Sequence, residues 1–125
     1  MITIGPDCGL IEMLNDVTTL DKLFEKLSFE KMSLRSFFNR YFPDKHEARK
    51  NFIQSLAGYS LICYFLQIKD RHNGNILLHR DGSIIHIDFG FFLSNAPGKG
   101  VELEGKLPFK FLTQYVEVMG GLQSE

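Results

Sequence analysis

From Leu56 to Leu66 the chain reads Leu-Ala-Gly-Tyr-Ser-Leu-Ile-Cys-Tyr-Phe-Leu, apolar on nearly every side of a helix. The residues before it are amphipathic, with Lys45, Glu47, Arg49 and Lys50 alternating with Phe52, Ile53 and Leu56. One long helix from about His46 to Lys69 is therefore expected. A helix with no polar face needs other structure around it, so its second half is expected to be the buried centre of the fold. It is not a membrane span: the run to Ile68 carries Gly58, Ser60 and Gln67 and falls short of the ~18–20 residues a bilayer requires. A chain of 125 residues is enough for one core. Fourteen Lys and Arg against fifteen Asp and Glu leave a net charge of -1, which speaks against a nucleic-acid binder. Met1-Ile-Thr-Ile-Gly-Pro-Asp7 lacks the basic and apolar regions of a secretory signal. Cys8 and Cys63 lie far apart, so reduced thiols in a cytosolic protein are expected rather than a disulfide framework or metal knuckle.

The rest of the chain contains no repeat, low-complexity tract or linker. Met1 to Ile4 reads as a strand, Gly5-Pro6-Asp7 as a turn, and Gly9 to Leu14 as a second extended piece. Thr18 or Thr19 is placed to cap a helix through Leu20, Leu23, Phe24 and Leu27. Ser33 is placed to cap another, with Leu34, Phe37, Phe38, Tyr41 and Phe42 apolar and Pro43 as its stop. After the long helix comes a polar hexapeptide, Asp70-Arg-His-Asn-Gly-Asn75. Two β-prone runs follow, Ile76 to His79 and Ile84 to Ile87, joined through Asp81-Gly82, a hairpin signal. A last helix is expected from about Pro108 to Met119, ended by Gly120-Gly121.

Polar loop, hairpin and then Asp88-Phe89-Gly90 is the order in which protein kinases assemble a phosphoryl-transfer site. That template has a catalytic-loop Asp, a metal-binding Asn five positions later, and the Asp of Asp-Phe-Gly. Here Asp70 precedes Asn75 by five, and the hairpin returns the chain so that Asn75 and Asp88 end close together. An amide oxygen and a carboxylate are hard ligands suited to Mg²⁺ on nucleotide phosphates. Gly90 frees the backbone where the loop turns. Protein kinases read His-Arg-Asp, whereas this chain reads Asp70-Arg71-His72. Its imidazole, with an ordinary pKa near ~6.5, is suited to accept a hydroxyl proton or to orient by hydrogen bonding.

Asp70-Arg-His-Asn-Gly-Asn-Ile-Leu77, His86-Ile-Asp-Phe-Gly-Phe91 and Leu93-Ser-Asn-Ala-Pro-Gly98 resemble the catalytic and activation loops of phosphatidylinositol 3- and 4-kinases. The likeness is greatest to the type III 4-kinases of the beta group. Gly9 to Met13 resembles that family's hinge, Asn51 to Tyr59 its buried helix, and Pro108 to Lys110 with Tyr115 to Gly121 the segment after the activation loop. The resemblance implies an α+β, mainly helical fold: the large (C-terminal) lobe of a protein-kinase-like domain, with a short β-hairpin between the catalytic loop and Asp-Phe-Gly. It places the hinge at about 9–17, the catalytic loop at 70–75 and the activation loop at about 88–107. Asp70 and His72 would position or deprotonate the inositol hydroxyl, and Asn75 and Asp88 would hold Mg²⁺, or Mn²⁺ in its place. The backbone of Glu12 and Leu14 would bind the adenine of ATP, with Leu77 and Ile87 packing beneath the ring.

The basic residues between Asp88 and Pro108 are Lys99 and Lys106, which would meet the inositol head group, offset by Glu102 and Glu104. So weak a cationic patch suits unphosphorylated phosphatidylinositol, the substrate of a 4-kinase or a class III 3-kinase. Phe91 and Ser94 to Gly98 favour the 4-kinase. The implied partners are phosphatidylinositol in a membrane surface and the remainder of the kinase domain, at the cytosolic face of intracellular membranes. Ahead of Glu12 there is no lysine, and Gly5 and Gly9 are the only glycines. The small lobe's phosphate-covering loop and lysine are thus expected to be missing, leaving either a catalytic segment of a longer chain or a non-catalytic remnant. His79 and His86 are expected to be structural. Tyr59, Cys63 and Tyr64 are expected in the core, as are Phe37, Phe38, Phe42, Phe52 and Phe65.

Overall fold

Asp44 starts the long helix: its carboxylate accepts from the backbone N–H groups of His46 and Glu47, both at 3.0 Å. Those donors hold the Asp44 carboxyl below the ordinary carboxylate range. In this computed structural model, which describes residues 1–93 and 110–121, the helix (α3) runs over Lys45–Phe65. It ends four residues before Lys69 because Gln67 turns left-handed (φ 49°) and the Ile68 N–H closes back on the Cys63 carbonyl at 3.0 Å. Two shorter helices precede it. Helix α1, Leu20–Phe29, buries Leu20, Leu23 and Leu27 on one stripe. Thr19 stands at its N-cap, but its hydroxyl bonds the Asp21 side chain rather than a backbone N–H. Helix α2, Leu34–Tyr41, is capped as expected by Ser33, whose hydroxyl accepts from Ser36 N–H at 3.1 Å. Helix α4, Thr113–Met119, stops at left-handed Gly120 (φ 117°). Pro108, its expected start, lies outside the described residues.

Strands β1 (Ile2–Gly5) and β2 (Cys8–Leu10) form an exposed antiparallel hairpin. A second antiparallel sheet has the order β3-β4-β5, from Val17–Thr19, Ile76–His79 and Ile84–His86. Its register sets Thr19 opposite Leu77, and Leu78 opposite Ile84. Strand β3 was not foreseen, since its three residues read as a helix cap. Strand alternation directs Ile76 and Leu78 into the main core and leaves Leu77 outside that cluster. There they meet Leu20, Phe38, Phe52, Leu56, Ile84 and Val118. Phe52 is central, edge-on to Phe38 and to Tyr115 with ring centroids 5.4 Å apart in each pair. Asn51 and Ser55 of α3 pin the β4–β5 hairpin through bonds with Asp81 O and Ile84 N–H, each at 3.0 Å.

The second half of α3 departs from expectation. Leu56 and Cys63 are buried, but Leu61 and Phe65 are 60% and 71% exposed, and Ile62, Tyr64 and Leu66 are exposed as well. An apolar helix needs neighbours all round, and the described residues cover only the side facing the sheet. Phe65 and Tyr64 are therefore not core residues here, whereas Phe38, Phe52 and Cys63 are, with Phe37, Phe42 and Tyr59 packed against the core.

The hairpin turn yields one stability prediction. Gly82 has φ 94°, and a Cβ there would sit 2.4 Å from the Ala48 carbonyl oxygen of α3. Gly82→Ala is expected to cost at least about 2 kcal/mol, combining left-handed strain with a backbone clash. Urea denaturation checks this, and an unchanged midpoint would contradict it.

Candidate active site

After α3 the chain enters the polar hexapeptide at Asp70 and leaves the hairpin at Asp88, each in an unusual backbone conformation. Asp70 (φ 59°) and Asp88 (φ 57°) are both left-handed, a state uncommon in residues other than glycine. Between them, Asn73–Asn75 forms one 3-10 turn, closed by Asn75 N–H to His72 O at 3.0 Å. Strands β4 and β5 follow, and the ladder continues one step further: Ile87 N–H donates to Asn75 O at 3.0 Å. Asp88 is thus one residue past the partner of Asn75, as the hairpin spacing requires.

Asn75 is buried, and its amide Nδ2 donates to the Asp70 carbonyl at 3.0 Å. That bond fixes the amide plane, so Oδ1 is the end left to act as an acceptor. Asp88 is exposed, and one carboxylate oxygen accepts from Gly90 N–H at 3.3 Å. His72 is exposed, and its Nδ1 accepts from Gly74 N–H at 3.1 Å. A neutral imidazole accepting at Nδ1 carries its proton on Nε2, so His72 offers a donor to whatever approaches it.

The structure brings Asp70, His72, Asn75 and Asp88 to one end of the hairpin, with Ile87 half-buried beside them. Leu77 is buried between Thr19 and Ile85 in the sheet. Glu12 and Leu14 lie instead on the exposed connector leading to β3, which enters the sheet where Arg80 N–H meets Asp16 O at 3.0 Å. Lys99 and Lys106 lie outside the described residues, as does most of the expected activation loop.

Arg71 was not foreseen. It is 6% exposed, and its guanidinium donates to three backbone carbonyls: Lys69 (2.9 Å), Ile87 (2.7 Å) and Asp88. In sequence it reads as one charge in a polar loop; the hint was that Ile68 and Ile76, apolar on both sides, leave that loop little depth of solvent. Behind it, His86 stacks on Tyr59 with centroids 4.3 Å apart and sets Nδ1 3.6 Å from Cys63 Sγ. Burial, with Arg71's charge added, pushes the His86 imidazole down to about 4; burial also pushes the Cys63 thiol up.

His86 carries a pH prediction. An unfolded histidine titrates near ~6.5, so between that value and about 4 the unfolded chain binds a proton that the native protein refuses. Stability present above pH ~6.5 is therefore lost as pH falls through this window, by up to about 3 kcal/mol, and levels off below it. Urea midpoints at pH 7 and pH 5 measure the slope, and His86→Phe, which keeps a ring against Tyr59, should flatten it. Equal wild-type midpoints would contradict a neutral, buried His86.

Among the described residues no group of three or more His, Cys, Asp and Glu side chains could hold a metal alone. Asn75 and Asp88 instead form a two-oxygen set of the hard type that suits Mg²⁺ when phosphates and water supply the other ligands. No described helix is long and apolar enough to cross a membrane.

One left-handed Asp thus precedes the hairpin and another follows it, with Asn75 held to the first by its amide. The chain belongs to the phosphatidylinositol 3- and 4-kinase family, whose profile matches residues 1–125. It is 48% identical to phosphatidylinositol 4-kinase beta 2 of Arabidopsis thaliana over 94% of this chain and 11% of that protein. It is 44% identical to a phosphatidylinositol 4-kinase of Candida albicans over 100% of this chain and 14% of that protein. It is 42% identical to phosphatidylinositol 4-kinase beta of Sorex araneus, over 100% and 16% respectively. The chain thus spans about a tenth to a sixth of the length of these relatives.

Proposed function

We propose that these residues form the hinge and much of the large lobe of a phosphatidylinositol 4-kinase. Its reaction transfers the γ-phosphoryl group of ATP to the 4-hydroxyl of membrane phosphatidylinositol. The observation that carries this reading is the Ile87–Asn75 backbone bond, which sets Asn75 and Asp88 side by side at the end of the hairpin. The names of the relatives support the choice of substrate and position.

In this mechanism Asn75 Oδ1 and the Asp88 carboxylate hold Mg²⁺ or Mn²⁺, and Asn75 Nδ2 stays on Asp70 O to keep the amide aimed. When bound, the ion neutralises charge on the phosphates of ATP. Asp70 orients the inositol hydroxyl and takes its proton. His72, with Nδ1 occupied by Gly74 N–H, donates from Nε2 to orient the hydroxyl or a phosphate oxygen. The backbone of Glu12 and Leu14 binds adenine, Leu77 and Ile87 pack beneath it, and Lys99 and Lys106 meet the head group. The exposed apolar surface of Leu61, Phe65, Phe89 and Phe92 supports a requirement for further chain, a small lobe and C-terminal helices, packed against these residues. The enzyme works at the cytosolic face of intracellular membranes.

Incubating the kinase domain that contains these residues with labelled ATP, Mg²⁺ and phosphatidylinositol vesicles, then separating head groups by chromatography, tests the reading. The expected product is the 4-phosphate, with no preference for the bisphosphate as substrate. A 3-phosphate would make the protein a class III 3-kinase, and no lipid product from a folded two-lobed domain would leave a non-catalytic remnant.

A further inference from the structure

We propose that Arg71 is a positioning residue that locks the backbone entering the catalytic loop to the backbone around Asp88, so that the two acidic side chains are presented as one unit. This rests on the lipid-kinase reading for its catalytic consequence, but not for its geometry.

A buried cation is unfavourable unless its donors are satisfied. Arg71 meets that need without a carboxylate: among the described residues its donors go to the carbonyls of Lys69, Ile87 and Asp88. The choice of carbonyls is informative. Lys69 O immediately precedes left-handed Asp70, while Ile87 O and Asp88 O bracket left-handed Asp88. Left-handed backbone at a non-glycine residue persists only where its surroundings hold it there. One planar fork holds both places at once, and the guanidinium also sits 5.4 Å over the Phe89 ring. A lysine, whose three donors all sit on one nitrogen, cannot reach carbonyls of both chain segments as the planar fork does. The segments keep other ties when Arg71 is changed, namely Lys69 N–H to Phe91 O (2.9 Å) and Ile87 N–H to Asn75 O (3.0 Å). Loss of Arg71 should therefore loosen Asp88 locally and leave the fold standing.

Arg71→Lys, which keeps the charge, and Arg71→Met, which keeps the volume, separate these roles. In metal-free protein, hydrogen exchange followed by mass spectrometry should show at least about tenfold faster exchange in residues 69–75 and 86–91 for both variants, with α1 and α2 unchanged. Titration with Mn²⁺ and ATP should weaken by about tenfold. In the active kinase domain, turnover should fall about 100-fold with the KM for phosphatidylinositol unchanged, and Arg71→Lys should add nothing to an Asp88→Asn background. Loss of protection throughout the chain in both variants would overturn the proposal, making Arg71 a general support of the fold. So would wild-type exchange and Mn²⁺ affinity in Arg71→Lys. Local loosening and weakened Mn²⁺ binding in a wild-type domain that forms no lipid product would overturn the kinase reading and leave the role of Arg71 standing.

Discussion

Asp88→Asn is expected to lower phosphatidylinositol phosphorylation by at least about 10³-fold, equivalent to about 4 kcal/mol of transition-state stabilisation. The melting temperature should stay within about 2 °C of wild type. Both halves follow from where Asp88 sits. It is exposed and outside the core, and its carboxylate makes one long hydrogen bond to Gly90 N–H at 3.3 Å. An asparagine can accept that same bond, so the loop has no reason to rearrange. What the amide cannot supply is the negative charge that holds a divalent ion against the phosphates, and phosphoryl transfer depends almost wholly on such charge and on positioning. Steady-state lipid-kinase assays beside thermal melts decide the matter. Near-normal turnover in Asp88→Asn would remove Asp88 from the metal site, and equal losses of turnover and stability would make it structural.

The 125 residues by themselves are expected to transfer phosphate at least about 10⁴-fold more slowly than a two-lobed lipid-kinase domain. In the proposed kinase reading, Asn75 and Asp88 address one side of the nucleotide. Closing over the phosphates from the other side takes a glycine-rich loop and a lysine, and residues 1–16 contain no lysine at all. The same chain presents Leu61, Phe65, Phe89 and Phe92 to solvent, so self-association at micromolar concentration should accompany the loss of activity. Light scattering coupled to size exclusion, followed by an ATP-dependent phosphatidylinositol assay, reads both effects. A soluble monomer turning over like a complete domain would contradict them.

Much of the fold was written locally. Ser33 before an apolar stripe and Asp81-Gly82 between β-prone runs each act through the nearest few residues, so short-range rules find them. The cap supplied by Asp44 and the left-handed stop at Gln67 moved the ends of α3 without altering its existence. Strand β3 escaped because three residues carry almost no periodicity, and Val17–Thr19 is a strand only by pairing with β4, some sixty residues away. The exposed half of α3 was misread for the opposite reason. An all-round apolar helix states that neighbours are needed, and says nothing of which chain segment supplies them.

The candidate site divides the same way. Asn75 and Asp88 were legible as neighbours because a hairpin between them returns the chain on itself, whereas Asp70 was singled out by its likeness to a kinase catalytic loop. Arg71 was not, since its partners are backbone carbonyls, which leave no trace in residue identity. His72 showed its position in sequence but not its orientation. Its Nδ1 accepts from Gly74 N–H, a contact that residue identity alone does not specify. His86 was foreseen as structural, and its stacking on Tyr59 agrees.

The most direct measurement is a crystal of the kinase domain containing these residues, grown with Mn²⁺ and a non-hydrolysable ATP analogue, with data collected at the manganese edge. An anomalous peak within about 2.1–2.3 Å of both Asn75 Oδ1 and an Asp88 carboxylate oxygen is the predicted result. A peak bound elsewhere, with Asn75 and Asp88 making no contact to the ion, would contradict the assignment of this hairpin end as the phosphoryl-transfer site.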